Sequence, residues 1–597
     1  MVFRIQRRLS PIDLSRHLIT SLPVKKGKLM TSSWPADHNW NIFASSLLIE
    51  VCARFGSDTF FVSPGYRDAP FIAALTLNPK VQVVSCWDER AAAFQALGWA
   101  KGKGKPAVLI CTSGTAGANY LPAIIEARVD HIPLLVITAD RPFELVFASA
   151  QQVIDQRDFF GRFVKKSLDF PAPSPSMNTK AWLSYARMLL EAATEDRAGP
   201  VHINLPFHAP LDPVAQKDSP SAEQIHSARQ ALDAMSFTRP VPRRADWPKE
   251  LLADFAQDVK KAKRGLLLIG RLSDEEADKT AIRQLRSNLG WPVFADVGSG
   301  LKFETEGEIP DLTIPASRAL LERYKPDCVI HVGKRLVTRY FDDAVASWAD
   351  ASYWVLSDEE QVQDPYHLPQ RRQHRADWAQ ILAILPTLNR DTTWSNRFIN
   401  LGRQLNKVKS PSFNFRDVAE IVRASTNDHV FLGNSTAIRA FDSWCFSPGA
   451  GFQVVANRGV SGIEGLLSTT IGLSLATEKV WTLIVGDIAM LHDLNAIISL
   501  AQSRAKVIVV LVNNVGGRIF ETLPVQKYPW VKDPLISTPH AFNFAGISAM
   551  AGLDYLRCQS QSDFESVFHD RQRLGSSCII ECSQDAEADL NWVRALA

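Results

Sequence analysis

Val480-Trp481-Thr482-Leu483-Ile484-Val485-Gly486-Asp487 and Val507-Ile508-Val509-Val510-Leu511-Val512-Asn513-Asn514-Val515-Gly516-Gly517 are the stretches that decide the fold. Each is an apolar run of strand length that stops at polar residues. Runs of this kind are buried on both faces, as strands are inside a parallel sheet covered by helices. The reading is two parallel strands whose carboxyl ends carry Asp487 and Asn514. Open α/β sheets hold their ligands at that end of the strands. A carboxylate and a carboxamide are hard oxygen donors, suited to a Mg²⁺ ion that also holds phosphate oxygens. Asp and Asn also favour turns, so the pair alone leaves open a plain turn role.

Outward from these strands the same pattern recurs. Strand-like runs at 59–63, 81–85, 107–112, 134–138 and 201–205 form a first block, and runs at 265–269, 291–295, 328–332 and 353–357 a second. A third block has runs at 429–433, 452–456, 480–486, 506–512 and 578–582. Strands alternating with helical patterns predict parallel layers. The expected fold class is α/β, with three doubly wound parallel-sheet domains. Residues 207–247, rich in Pro, Ala, Asp and Arg, read as a linker, and 386–412 as a second polar connection. No internal repeat is readable. In the second block Leu268-Ile269-Gly270-Arg271-Leu272-Ser273 leaves its strand without a G-x-G-x-x-G turn, so dinucleotide binding has no support and the block reads as mainly structural. In the first block Asp88 and Glu89 follow Val81-Gln82-Val83-Val84-Ser85 and precede Ala91-Ala92-Ala93-Phe94, where carboxylates complement a helix N-terminus.

A chain of 597 residues is too long for one core and predicts three or four domains. Its 46% hydrophobic content is that of a globular protein. A formal net charge of +3 implies no polyanion, so no nucleic-acid partner is expected. The 8 cysteines form no C-x-x-C pair, hence no zinc signature and no disulfide framework; Cys578 and Cys582 fall on a strand-like run as core thiols. A reducing, cytoplasmic location is the default. No apolar stretch approaches the roughly 20 residues that cross a bilayer. Residues 1–29 stand apart, with Arg4, Arg7, Arg8, Arg16, Lys25, Lys26 and Lys28 against Asp13 alone and no apolar run for a secretory signal. A basic organelle leader and a mis-assigned start are the two readings; the second, with Met30 as the true first residue, is expected.

Further motifs run through most of the chain. They are Ser63-Pro64-Gly65-Tyr66-Arg67, Trp87-Asp88-Glu89-Arg90, Thr112-Ser113-Gly114-Thr115-Ala116, Leu135-Val136-Ile137-Thr138-Ala139-Asp140-Arg141-Pro142 and Gly199-Pro200-Val201-His202-Ile203-Asn204. Then come Gly433-Asn434-Ser435, Asn457-Arg458-Gly459-Val460-Ser461-Gly462, Gly465-Leu466-Leu467-Ser468-Thr469 and Gly517-Arg518-Ile519-Phe520. In this order they resemble the MenD-like 2-succinyl-5-enolpyruvyl-6-hydroxy-3-cyclohexene-1-carboxylate synthase family of thiamine-diphosphate enzymes, from menaquinone or phylloquinone biosynthesis. Residues 220–420 resemble it more in layout than in motif.

The resemblance implies a pyrimidine-binding domain over 30–215, a central domain over 235–395 and a diphosphate-binding domain over 400–597, with 1–29 outside them. It implies a transferase, a carboligase that decarboxylates 2-oxoglutarate and adds the succinyl carbanion to isochorismate by 1,4-addition. It places Mg²⁺ (or Mn²⁺) on Asp487, Asn514 and the Gly516 carbonyl. Glu89 becomes the catalytic carboxyl at N1′ of the cofactor's aminopyrimidine, and Ile463 the apolar wedge under the cofactor. The superfamily shares its sites between subunits, so a homodimer or homotetramer is expected, with Glu89 of one chain serving Asp487 and Asn514 of the other.

The two substrates carry two carboxylates each, which suits the forked, permanently charged arginine side chain. By resemblance Arg67, Arg141, Gln152, Ser435, Arg439 and Arg458 fall on substrate-binding positions. Ser435, Arg439 and Arg458 are expected on the distal carboxylate of the 2-oxoglutarate unit, and Arg67 and Arg141 against isochorismate, with Ile519, Phe520 and Leu523 as an apolar wall. Ser435 and Arg439 are four apart at a strand-to-helix junction, so one helix face presents both. Three departures stand out: Ile488 replaces the usual Gly after the motif aspartate, Tyr66 and Asp68 flank Arg67 where the family has Ser, and the expected central Lys-Arg pair reads Arg339-Tyr340. The last two fall on the acceptor side. They leave as an alternative another thiamine-dependent 2-oxoacid decarboxylase or carboligase with a different acceptor. An Asp68 paired with a nearby arginine and turned from the substrate would keep isochorismate in place.

Overall fold

Apolar runs become strands throughout. The computed structural model describes residues 38–584 apart from 196, 238–245, 273–274, 305–314, 339, 360, 369–370, 386–391, 407–411, 425–428 and 445–452. The basic segment 1–29 and Arg339 thus lie outside the described residues. The first sheet holds β1 (Thr59–Ser63), β2 (Gln82–Ser85), β3 (Ala107–Cys111), β4 (Leu134–Asp140), β5 (Ser167–Asp169) and β6 (Pro200–Pro206), in the order β2-β1-β3-β4-β6-β5. The second holds β7 (Gly265–Ile269), β8 (Val293–Ala295), β9 (Cys328–Val332), β10 (Ser352–Leu356) and β11 (Arg371–His374), in the order β11-β10-β9-β7-β8. The third holds β12 (His429–Leu432), β13 (Gln453–Val455), β14 (Val480–Gly486), β15 (Lys506–Asn513), β16 (Asp554–Cys558) and β17 (Cys578–Ser583), in the order β13-β12-β14-β15-β17-β16. All pairings are parallel. The fold is the expected α/β arrangement of three parallel sheets.

Three readings need correction. β5, β11 and β16 were not expected; each is an edge strand, held from one side only. Residues 207–247 are not a plain linker. They contain a helix, Ala222–Asp233, opened by a Ser221–Gln224 capping box, whose Ile225, Ala228 and Leu232 pack into the first domain's core. Three apolar residues on one helix face outweigh a polar composition. Likewise 386–412 contains the helix Thr393–Asn406, which buries Trp394 and Phe398 in a core of the central domain.

The first and third domains meet along two helices, Glu89–Lys103 and Leu466–Thr477. A Cβ on Gly98 would stand 1.9 Å from the Thr469 carbonyl oxygen, and one on Gly472 2.0 Å from that of Gln95. Only glycine permits so close an approach. At the start of the first helix, Arg90 donates to the His492 carbonyl and Asn495 to Asp88, which ties the turn carrying Glu89 to the third domain.

Candidate active site

Parallel pairing of β14 with β15 sets Gly486 beside Val512, so the polar residues that follow both strands emerge at one level. Asp487 is buried. Its Oδ1 accepts the Ile488 N–H at 2.7 Å and its Oδ2 the Gly516 N–H at 2.8 Å, while His540 Nε2 stands 3.2 Å from Oδ2. Burial pushes this carboxyl up, against the two hydrogen bonds and His540. Val515 at φ 60° and Gly516 at φ 131° bend the chain back toward the aspartate. At Gly516 a Cβ would lie 2.7 Å from the Ser537 carbonyl oxygen, so the position is restricted to glycine. The Gly516 carbonyl accepts from Arg518 N at 2.9 Å and keeps a second lone pair. Asn514 is buried beside it.

A buried carboxylate, a carboxamide and a glycine carbonyl form a hard oxygen set that fits Mg²⁺ or Mn²⁺ with a diphosphate. Ile488 is compatible with that role, because its contribution to Asp487 is its backbone N–H. Its side chain lines a cleft of about 470 Å³ with Leu491, His492, His540 and Phe542. Ile463 is partly buried against the third domain's core.

Glu89 begins the helix Glu89–Lys103, whose cap is Asp88 accepting from Ala91 N. The Glu89 carboxyl is half-buried, with Asn119 Nδ2 at 3.5 Å. Its neighbours reach the segment after Asp487: Asn495 Nδ2 donates to Asp88 at 2.7 Å and Arg90 to the His492 carbonyl at 2.6 Å.

Two groups of the expected substrate residues assemble. In the first domain, Arg141 Nη1 donates to Ser113 Oγ and to the Gln152 carbonyl, both at 2.5 Å, and Gln152 Nε2 donates to the Ser113 carbonyl at 3.2 Å. Arg67 donates to the Phe207 carbonyl at 3.0 Å. Burial, then the charge of Arg141, lowers the Arg67 guanidinium. Two like charges held near each other suit an anionic ligand. In the third domain, Ser435 takes φ 71°, and Arg439 Nη1 folds back on its carbonyl at 2.6 Å. Arg458 Nη1 donates to Asn434 Oδ1 at 2.9 Å, and Asn434 Nδ2 holds the carbonyls of Asn457 and Gly462 at 2.8 and 2.6 Å. Ile519 and Phe520 sit half-buried on the turn Arg518–Thr522, with Leu523 next.

The departures beside Arg67 point elsewhere. Tyr66 is 66% exposed and donates to Asp212 Oδ2 at 3.0 Å. Asp68 is buried, and its partner is the Gly65 N–H at 2.8 Å rather than an arginine. Burial pushes its carboxyl up to about 6. Of the central pair, Tyr340 lies under Arg318, 4.5 Å from the ring centre. His540 and Asn434 escaped sequence reasoning. Asn434 did stand in a quoted motif, between Gly433 and Ser435, but nothing local marks Thr538-Pro539-His540.

Comparison with known proteins agrees with this geometry. Residues 43–159 match the model "Thiamine pyrophosphate enzyme, N-terminal TPP binding domain", 242–426 "Middle domain of thiamine pyrophosphate", and 442–582 "Thiamine pyrophosphate enzyme, C-terminal TPP binding domain". The 2-succinyl-5-enolpyruvyl-6-hydroxy-3-cyclohexene-1-carboxylate synthase of Syntrophus aciditrophicus is 35% identical over 570 residues, 93% of this chain and 98% of that protein. The synthase of the same name from Pelodictyon phaeoclathratiforme is 33% identical over 93% of this chain and 95% of its own length. The crystal structure of benzoylformate decarboxylase from Polynucleobacter necessarius superposes with a TM-score of 0.70 at 13% identity, covering 91% of this chain and 98% of that one, a likeness of fold alone.

Proposed function

The chain belongs to the 2-succinyl-5-enolpyruvyl-6-hydroxy-3-cyclohexene-1-carboxylate synthase family of thiamine-diphosphate enzymes, and from that premise we propose how its residues divide the work. The protein is a transferase that decarboxylates 2-oxoglutarate and joins the remaining succinyl unit to isochorismate. Bound thiamine diphosphate supplies the electron sink for both steps. Asp487, Asn514 and the Gly516 carbonyl hold Mg²⁺ or Mn²⁺ and through it the diphosphate. Glu89 moves a proton at N1′ of the aminopyrimidine, and Ile463 supports the cofactor's bend. Arg439, Ser435 and Arg458 hold the distal carboxylate of 2-oxoglutarate. Arg67, Arg141 and Gln152 hold the carboxylates of isochorismate, while Ile519, Phe520 and Leu523 keep water from the reacting carbon. The boundaries 30–215, 235–395 and 400–597 serve as pyrimidine-binding, central and diphosphate-binding domains.

One observation carries this reading: buried Asp487 and Asn514 end two paired strands, one arginine group follows the adjacent strands β12 and β13 of the same sheet, and a second stands at the carboxyl ends of the first domain's sheet. Isochorismate is the favoured acceptor because Tyr66 and Asp68, which prompted the alternative, are engaged with Asp212 and Gly65. The active unit is a homodimer or a dimer of dimers, with Glu89 of one subunit completing the site of the other. In support, large apolar side chains stand in water at both halves, Trp87 beside Glu89 and Val515, Trp530 and Phe542 on the third domain's side. The seven described cysteines are free and buried, which supports a cytoplasmic location. No described helix is long and apolar enough to cross a membrane. The test is to incubate the purified protein with thiamine diphosphate, Mg²⁺, 2-oxoglutarate and isochorismate, and to weigh the product. The expected mass is that of the succinylated cyclohexene carboxylate. Release of CO₂ with isochorismate untouched would instead support another acceptor.

A further inference from the structure

Two carboxylates are buried where the central domain meets the third. Asp442 lies on the helix Thr436–Trp444, which also carries Arg439, and Asp296 follows β8. Asp442 is 0% exposed and Asp296 1%. Asp442 Oδ1 accepts the Val297 N–H at 2.7 Å and lies 3.5 Å from Lys302 Nζ. Among the described residues its Oδ2 has no hydrogen-bond partner. Asp296 accepts the N–H groups of Gly298 at 2.7 Å and Val337 at 2.5 Å. Lys302 also donates to the Ala295 carbonyl at 3.0 Å. Burial, then the charge of Asp442, pushes the Asp296 carboxyl well above the ordinary carboxylate range.

A buried ion set of this kind is a poor way to stabilise an interface, since apolar residues of similar volume do as well or better. Its geometry offers something apolar packing does not, namely direction. Val297 and Val337 of the central domain sit in the same core as Ala437, Ile438 and Phe441 of the helix. The Asp442–Val297 hydrogen bond then fixes how the helix is rotated on that core. Asp442 and Arg439 are three apart, so they share a face and turn together. Ser435, at φ 71°, leaves the other end of this short helix on a bent junction.

We propose that the central domain positions the donor-binding helix, with Asp442 as the positioning residue that sets where Arg439 points. The inference rests on the reading of Arg439 as the partner of the distal carboxylate of 2-oxoglutarate. It gives the central domain, expected to be mainly structural, a part in donor recognition.

The test compares Asp442→Ala, Asp442→Glu and Asp442→Asn in the full-length enzyme. Asn keeps an oxygen for the Val297 N–H; Glu keeps the charge but displaces it. Ala and Glu should raise KM for 2-oxoglutarate by about tenfold or more, the scale of a small misplacement of a binding group. KM for isochorismate and thiamine-diphosphate affinity should stay within about twofold, and Asn should restore the donor KM. Should Ala fail to fold, Glu against Asn carries the comparison. An unchanged donor KM in Glu, or equal rises for both substrates, overturns the proposal. Arg439→Ala runs alongside. If it too leaves the donor KM unchanged, the donor reading is wrong and this inference falls with it; if it raises that KM while the Asp442 variants do not, only the positioning role is lost.

Discussion

The first and third sheets have one topology and opposite equipment. Their strand orders, β2-β1-β3-β4-β6-β5 and β13-β12-β14-β15-β17-β16, are the same when each is counted from its own first strand. After the corresponding strands β1 and β12 come Arg67 and Ser435, and after β2 and β13 come Glu89 and Arg458. Ser113 follows β3 where Asp487 follows β14, and Arg141 follows β4 where Asn514 follows β15. The fold supplies the same four places twice, at the carboxyl ends where open sheets bind ligands. Side chains decide what each place does. The third domain puts a carboxylate and a carboxamide at the two central places; the first puts a hydroxyl and an arginine there. On the proposed reading, one half is equipped for a metal diphosphate and the other for anionic substrate.

The sharpest way to break this contrast is at the central place. Asp487→Ala removes the proposed metal ligand and should abolish Mg²⁺-dependent binding of thiamine diphosphate, while Ser113→Ala at the matching position should leave it intact. Calorimetry with and without chelator decides, and equal binding by both variants would remove the asymmetry. Next in size is Glu89→Gln. The cofactor should still bind, but hydrogen–deuterium exchange at its C2 should slow by about 10²–10⁴-fold, the usual worth of a positioned proton transfer. Unchanged exchange would mean that another group does this work. A smaller effect separates the arginines. Arg439→Ala should cost roughly 2–5 kcal/mol in use of 2-oxoglutarate, as when one member of a buried charge pair is lost. Turnover of pyruvate should suffer less. Arg141→Ala should leave decarboxylation alone and weaken only the step with isochorismate. If both variants affect both steps equally, the assignment of donor to the third domain and acceptor to the first is mistaken.

The doubled topology was invisible in the sequence because matching strands share burial, not identity: Ala107–Cys111 and Val480–Gly486 are alike only in being apolar. Continuous apolar runs gave the inner strands to within a residue or two. The edge strands Ser167–Asp169, Arg371–His374 and Asp554–Cys558 carry polar residues, since one side of each faces no neighbour, and they merged into the loops. Site residues that directly follow apolar runs, such as Asp487 and Asn514, were legible for the same reason. His540 was not, because its place against Asp487 is set by the return of the loop from Gly517 to Ser537, where Gly517 N donates to the Ser537 carbonyl at 2.7 Å. Nor was Asp442, whose partner Val297 belongs to another domain. The residues at 66 and 68 misled through identity alone, since the turn after β1, not their type, decides which way they face.

The finest test concerns Asp68, a buried carboxylate in the turn after β1 of the first domain, to be set beside the buried Asp487 of the third. Both carboxyls are pushed up by burial, but the groups around them differ. Asp487 is faced by His540 and backed by Gly516, with the Asn514 carboxamide close by; Asp68 accepts from Gly65, and its Oδ2 has no hydrogen-bond partner among the described residues. If Asp68 only shapes the Arg67 loop, removing its charge should stabilise the protein. The sign follows from linkage. Its folded value of about 6 lies above the ordinary value near 3.8, so the folded state holds more protons between them and stability falls as pH rises through that window. Asp68→Asn keeps an oxygen for Gly65 and carries no charge. Its melting temperature relative to wild type should rise from pH 4 to pH 6 and level off above 7, a gain of order 1–3 kcal/mol less the cost of an amide N–H₂ group left without a partner. Cofactor affinity should not change. A difference independent of pH would mean that Asp68 is not the buried acid described here. Loss of thiamine diphosphate in Asp68→Asn would mean that the first domain, too, helps hold the cofactor's charge, and the division between the two sheets would fail.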